Sequence, residues 1–376
     1  MFSLNKFKVH VNQIEIGKMV TSMSLYESIH GDIRGILHVI DNINFFDTFI
    51  NKEMPGVEIT YNYLGTSMVI PLIANGITDQ VITKTGKNYN IVLISISTVN
   101  KTVSRICDTY SGTSNDILIN MWKETQGTEI PLSLNTQAVT KGKYVVPNIS
   151  AGTAISNVVQ SAYDENKTGM FLYQRLAEGG ATRFVSLHDM ARSKYYNDDG
   201  KTCFQIQNSY VDKSIITNPV GTVGSCDNFQ LVSYNENYIQ KLAGGLWGKR
   251  ITEFELDQTK KTELTAIEYT SIDAPSYKIS KKLYDNGVSL FTPDSKTDND
   301  AIQNTKYRVF NTTLMAESTV AVPNLSCGMV VDVNQGGSNI SRTKSDGEYI
   351  IASINHRYTM NDGEMNYVQD IGLTRE

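Results

Sequence analysis

Charge is scarce in this chain: Asp, Glu, Lys and Arg together make up only 19% of its residues. Sparse charge accompanies surfaces that partners cover. The formal net charge of −5 comes without the clustered Lys and Arg that a general affinity for nucleic acid needs. The charge is compatible with a surface that nucleic acid passes without sticking. Cysteine is also rare: Cys107, Cys203, Cys226 and Cys327 lie far apart and form no CxxC pair. That spacing speaks against a structural zinc site and a disulfide framework, and reads as four buried thiols in a reducing compartment. No window approaches the roughly 18 apolar residues of a membrane span. The start, Met1 to Lys8, has no apolar signal region. The expectation is a protein made and folded in the cytoplasm, with no membrane anchor.

Catalytic patterns are missing too. The five histidines, His10, His30, His38, His188 and His356, include no HExxH and no close pair beside a carboxylate, so each reads as structural. Gly245 to Arg250 resembles a phosphate loop only superficially. Ala243 stands where its first glycine belongs, and Arg250 replaces the Ser or Thr that would hold magnesium. It reads instead as a glycine-rich bend that places Trp247 at an interface. GxSxG and GxGxxG are absent. Glu253 and Glu255 alternate along one strand rather than facing each other across a cleft. The expectation is no catalytic residue, no cofactor and no metal, hence no enzyme.

What is present is β-patterning. Near the C-terminus Ile350, Ala352, Ile354, His356, Tyr358 and Met360 keep a two-residue period. Tyr367, Gln369, Ile371 and Leu373 repeat it on the way back, with Asn361-Asp362-Gly363 as the turn between them. At the other end Phe7, Val9 and Val11 alternate, as do Ile36, His38 and Ile40, then Val57, Ile59, Tyr61 and Tyr63, then Met68, Ile70 and Leu72. Tyr89 to Ile96 is apolar on both faces. Six or more short strands at this spacing predict a closed or nearly closed antiparallel barrel, interrupted by a short helix over 44–51.

Past Cys107 the character changes. Ser114 reads as the cap of a helix with Ile117, Leu118, Met121 and Trp122 on one stripe. Ser150 caps a second helix, with Ile155, Val158, Val159 and Ala162 buried, ending between Asn166 and Gly169. A hairpin follows around Glu178-Gly179-Gly180. Strands return from Phe204, with a short helix over 235–242. Residues 274–306 read as polar and irregular, and Thr319 onward as continuous strand. The chain is expected to be a β-rich α+β multidomain protein. Its parts are a first β-module over 1–106, a small α+β domain over 107–203, a second β-module from 204–245 and 307–376, and an inserted domain over 246–306.

With these elements in place, the chain resembles the central baseplate hub proteins of contractile-tailed, T-even-type bacteriophages and the hub part of type VI secretion spike proteins. The resemblance rests on Met23 to Gly31, Gly35 to Asp41, Ala177 to Leu187 and Tyr238 to Arg250. It is best at Val320 to Pro323, Cys327 to Val333, Gly347 to Ile351 and His356 to Tyr358. It implies two tail-tube-like antiparallel β-barrels per chain, and a homotrimer forming a pseudo-sixfold ring around a DNA channel. The implied partners are the hexameric tail tube protein or its initiator, the trimeric central spike protein, other baseplate proteins and the tape measure protein. The implied location is the tail baseplate of a virion assembled in the host cytoplasm. With Glu376 soon after the last strand, no fused spike or enzymatic domain is expected.

Two other readings compete. The 20 tyrosines would be the contact residues of a receptor- or carbohydrate-binding tail protein. A polysaccharide-degrading enzyme would hydrolyse its substrate and lose that activity when one carboxylate is changed.

Overall fold

The structure is a computed structural model describing residues 5–45, 54–63, 66–84, 86–127, 130–166, 168–192, 205–208, 225–236, 249–255, 261–267, 288–291, 312–318, 325–334, 346–361 and 364–375. The N-terminal module consists of β1 (Asn5–Val11), β2 (Ile14–Glu15), β3 (Val20–Ser28), β4 (Gly31–Asp41), β5 (Gly56–Tyr63), β6 (Thr66–Thr83) and β7 (Gly86–Ile94). They pair in the order β2-β1-β5-β6-β7-β4-β3. Alternation sets the faces: Val9, Val11, Met23, Leu25, Ile59, Tyr61, Ile70, Leu72, Ile91 and Leu93 all enter one core. On β4 the inward set is Ile33, Leu37 and Val39, while Ile36 and Ile40 are exposed. The periodic set read from the sequence, Ile36-His38-Ile40, is therefore the outer face. The helix expected over 44–51 lies mostly outside the described residues.

The middle of the chain folds around its own core. It contains α1 (Ile96–Val103), β8 (Arg105–Ile106), β9 (Thr109–Thr113), α2 (Ser114–Gln126), β10 (Leu132–Leu134), β11 (Lys141–Val145) and β12 (Ile149–Ser150). After these come α3 (Ala151–Ser161), β13 (Met170–Arg175), β14 (Ala181–Ser186) and α4 (Leu187–Arg192). The cap of α2 is Thr113, not Ser114. Its hydroxyl accepts from the Asp116 N–H while the Asp116 carboxylate accepts from the Thr113 N–H, a capping box. Ser150 caps α3 as expected, but that helix ends at Ser161. There Tyr163 pairs with Gly169 and the Asp164 carboxylate accepts from the Thr168 N–H at 2.7 Å, closing a loop where the helix would have run on. The β13–β14 hairpin turns through Gly179 and Gly180, both at positive φ.

The C-terminal part adds β15 (Gln205–Asn208), β16 (Ser225–Glu236), β17 (Lys249–Glu255), β18 (Lys261–Ile267) and β19 (Val288–Phe291). It ends with β20 (Thr312–Ser318), β21 (Val330–Asn334), β22 (Gly347–Asn361) and β23 (Glu364–Arg375). Three expectations change here. β19 pairs in parallel with β17 inside the stretch read as irregular. Asn235 and Glu236 belong to β16 rather than starting a helix. The C-terminal stretch is not continuous strand, because Leu325 to Met329 form a buried turn before β21. The final hairpin pairs in the expected direction, with a bulge between Ile351 and Ser353 that shifts the register. The bulge moves the inward set from Ile351 to Ile354, and strict alternation begins only there, because Tyr349, Ile350 and Ile351 before it are all buried.

Strand order reveals an internal repeat. In chain order, β1, β3, β4, β5, β6 and β7 have counterparts in β15, β16, β20, β21, β22 and β23. The first set pairs as β1-β5-β6-β7-β4-β3 and the second as β15-β21-β22-β23-β20-β16. Five strands run alike in both. β15 differs, pairing in parallel with β21 where β1 is antiparallel to β5. In the second set β15 also pairs with β16, so the order returns on itself. In the first set no ladder joins β1 to β3, although the Ile16 N–H donates to the Val9 carbonyl at 2.7 Å. The two sets are one sheet, because β3 pairs antiparallel with β22 from Ser22↔Thr359 to Ser28↔Ser353.

Candidate functional site

The β3–β22 seam is also where two cores meet, the first around Met23, Leu25 and Tyr358 and a C-terminal one around Cys327, Ile354 and Leu373, and a charged residue holds it. Met23, Leu25 and Glu27 share the buried face of β3, and Glu27 is fully buried. Its carboxylate accepts from the Leu176 N–H at 2.8 Å and from the Cys327 N–H at 3.2 Å. The His356 Nε2 lies 3.5 Å away, an electrostatic contact beyond a directed hydrogen bond. One side chain of the first module thus ties down the backbone of both other parts. The Cys327 carbonyl is held in turn, accepting from Arg175 Nε at 3.0 Å. A buried carboxylate is tolerated only with such partners.

Beyond His356 runs a buried chain of hydroxyls. His356 Nδ1 is 2.7 Å from the Tyr367 hydroxyl, and the Tyr61 and Tyr358 hydroxyls are 2.7 Å apart. The Tyr358 and Tyr367 rings stack with centroids 4.5 Å apart. His356 Nδ1 and the Tyr367 hydroxyl share one hydrogen bond whose direction depends on the imidazole tautomer, while Nε2 faces the Glu27 carboxylate across 3.5 Å without a hydrogen-bond partner among the described residues. Burial pushes the Tyr61, Tyr358 and Tyr367 hydroxyls above the ordinary tyrosine range, so they stay protonated. Burial first, and then the Glu27 charge, likewise raises the Cys327 thiol. The arrangement is a clamp whose carboxylate, imidazole, hydroxyls and thiol are all buried.

The sequence candidates do not converge. His30 is exposed, His38 Nδ1 meets Asn90 Oδ1 at 2.5 Å on the outer face, and His188 is on α4. Only His356 enters the clamp. Glu253 and Glu255 lie two apart on β17, while residues 245–248 of the glycine-rich bend lie outside the described residues. Among the described residues no cluster of three His, Cys, Asp or Glu side chains is placed to hold a metal, and no helix is long and apolar enough to cross a membrane. Cys327 is buried as expected, but Cys107 is exposed. Iodoacetamide should therefore alkylate Cys107 in the native protein and Cys327 only after unfolding. Peptide mass mapping of the two sites checks this, and native labelling of Cys327 would contradict the clamp. Glu27 was missed in the sequence, although its signal was there: a carboxylate on the apolar parity of an alternating strand.

Two surfaces complete the site. A cleft of about 850 Å³ separates β3 and β4 from α1, α3 and β13, and is lined by Tyr26, Asp32, Arg34, Lys101, Val159 and Phe171. Its carboxylate is occupied: Asp32 accepts from Lys101 at 2.8 Å and from Thr98 at 2.9 Å, tying the first sheet to α1. The outer face of the seam presents Ser22, Ser24, Asn355 and Thr359. Beside them, Arg357 is neutralised by Glu317 and Asp370, each at 2.8 Å.

No protein-family model and no curated protein matches this chain in sequence. Solved structures do match it in shape. A tail protein from Neisseria meningitidis superposes with a TM-score of 0.58 at 9% identity, covering 100% of this chain and 97% of its own. The 43 kDa tail protein of prophage MuSo2 from Shewanella oneidensis gives 0.57 at 13% identity, covering 98% and 97%. The E. coli protein c3393, a type VI secretion component similar to the T4 tail proteins gp27 and gp5, gives 0.53 at 10% identity, covering 99% and 77%. At these identities the likeness is one of fold: this chain has the β-rich fold of phage tail proteins and of a type VI secretion component.

Proposed function

We propose that this chain is a non-enzymatic structural hub of a contractile phage tail baseplate, three copies of which form a pseudo-sixfold ring around the DNA channel. The observation that carries the reading is the duplicated six-strand order joined into one sheet at β3–β22. Two like modules per chain turn threefold symmetry into approximate sixfold symmetry, which suits a ring between a hexameric tube and a trimeric spike. In this reading the modules are tube-like barrels over 1–106 and over 204–245 with 307–376, and 107–203 and 246–306 are the domains between and within them. The tail tube or its initiator binds one side of the ring and the central spike the other. Neighbouring baseplate proteins and the tape measure complete the assembly, and the site of action is the virion tail. The outer face of the seam, rich in Ser, Asn and Thr with its arginine neutralised, suits a wall past which DNA slides.

Seven of the 20 tyrosines, Tyr61, Tyr89, Tyr110, Tyr173, Tyr349, Tyr358 and Tyr367, are buried and are withdrawn from the contact surface that a receptor- or carbohydrate-binding reading needs. The test is native mass measurement of the purified chain, alone and mixed with a candidate central spike protein. A trimer, or a three-plus-three complex with the spike, is expected. A chain that remains monomeric with every tail component overturns the proposal.

A further inference from the structure

Arg34 stands beside an open cleft with its charge unanswered among the described residues. It lies opposite Tyr26 across β3 and β4, and its guanidinium carbon sits 4.8 Å from the centre of the Tyr26 ring. The same row continues to Ile94 of β7 on one side and to Asn355 and Asp370 of β22 and β23 on the other. Asp370 is the acid in that row, and it is already engaged by Arg357 at 2.8 Å and by Asn355 at 3.2 Å.

The cleft is the volume of about 850 Å³ between this end of the sheet and α1, α3 and β13. Its charged lining residues are Asp32, Arg34 and Lys101. Asp32 and Lys101 neutralise each other at 2.8 Å, and Thr98 donates to the same carboxylate at 2.9 Å. With His30 counted neutral, Arg34 gives the cleft one net positive charge, in a chain whose total is −5. Beside that charge the lining is apolar in part: Ile94, Val159 and Leu172 are each half-buried there.

These features select a class of ligand. A guanidinium resting on an aromatic ring is pre-organised, with N–H groups left to meet a planar anion such as a carboxylate. Half-buried aliphatic side chains next to it favour an apolar group on the same ligand. A nucleic acid needs a row of cations, which this cleft lacks. A neutral sugar would leave the charge unanswered. The volume falls within the range of about 300–1,000 Å³ common to ligand sites.

We infer that the cleft receives an acidic, apolar peptide segment of a partner protein. One carboxylate of that segment meets Arg34, and an adjacent apolar side chain packs against Val159 and Leu172. The inference goes beyond the hub reading and does not depend on the ring.

The test probes a synthetic array of random dodecapeptides with the fluorescently labelled full chain. Peptides carrying Asp or Glu beside an apolar residue are expected to dominate the bound set. The strongest of them is then measured by fluorescence anisotropy. Its binding should weaken about tenfold when its acid is changed to the amide, and equally when the chain carries Arg34→Gln. Ser156→Trp, which fills the cleft from an exposed position on α3, should abolish binding. Both variants should keep the parent's melting temperature. An array that binds nothing, or shows no preference for acids, overturns the inference. So does binding that survives both Arg34→Gln and Ser156→Trp. Displacement by inorganic phosphate as effectively as by free peptide would assign the cleft to a small anion and overturn it as well. None of these results alters the mass measurement that tests the ring.

Discussion

Replacing Glu27 with alanine is expected to lower the unfolding free energy by about 3–5 kcal/mol, the range for breaking a buried charged contact. The Leu176 and Cys327 amides would lose their acceptor in a buried site, at about 1–3 kcal/mol each. His356 Nε2 would lose the carboxylate that lies 3.5 Å from it. Glu27→Gln keeps the shape and one acceptor oxygen, so its loss should be about half as large. Two measurements follow: the midpoint of chemical unfolding, and amide exchange at Leu176 and Cys327. Exchange at these two amides should accelerate selectively, because they belong to the two parts that Glu27 ties to β3. If Glu27→Ala fell within about 1 kcal/mol of the parent with both amides still protected, the clamp would be a packing coincidence.

The legibility of this chain follows the range of the interaction involved. Strands whose faces alternate between core and solvent were readable, because a period of two is a local property. The Ser150 cap and the Gly179-Gly180 turn were readable for the same reason. The face of β4 was not, because Ile36 and Ile40 are as apolar as Ile33 and Leu37, and only packing decides which set turns inward. The bulge at Ile351–Ser353 escaped because it depends on the partner strand β23. The internal repeat left no trace in residue identity. It lies in strand order and pairing, which many sequences satisfy, and a two-residue turn in the first module (Ile29 and His30) corresponds to the whole 237–311 interval in the second. The clamp was half visible. His356 was noted as a structural histidine, but its partner Glu27 is 329 residues away and no local pattern links them.

The turn that presents Cys327 to Glu27 depends on a glycine, and Gly328→Ala should be the most damaging single methyl added to this part of the protein. Gly328 sits at φ +79° while its N–H donates to the Ile351 carbonyl at 2.8 Å. A left-handed residue with a Cβ costs about 1–2 kcal/mol. The added methyl would overlap the Tyr173 hydroxyl and lie 3.2 Å from Met190 Sδ. Tyr173 is buried and cannot swing into solvent, so overpacking adds about 1–3 kcal/mol. A total loss of roughly 2–5 kcal/mol is expected. The two contributions separate in a double-mutant cycle. Tyr173→Phe removes the overlapping oxygen and alone should cost about 1 kcal/mol. If the overlap is real, Gly328→Ala should cost at least 1 kcal/mol less in the Tyr173→Phe background than in the parent. Strict additivity would mean that the backbone angle carries the whole cost and that Tyr173 does not press on the turn. In either case the Cys327 amide should exchange faster, since Gly328 and Glu27 fix the same turn from opposite ends.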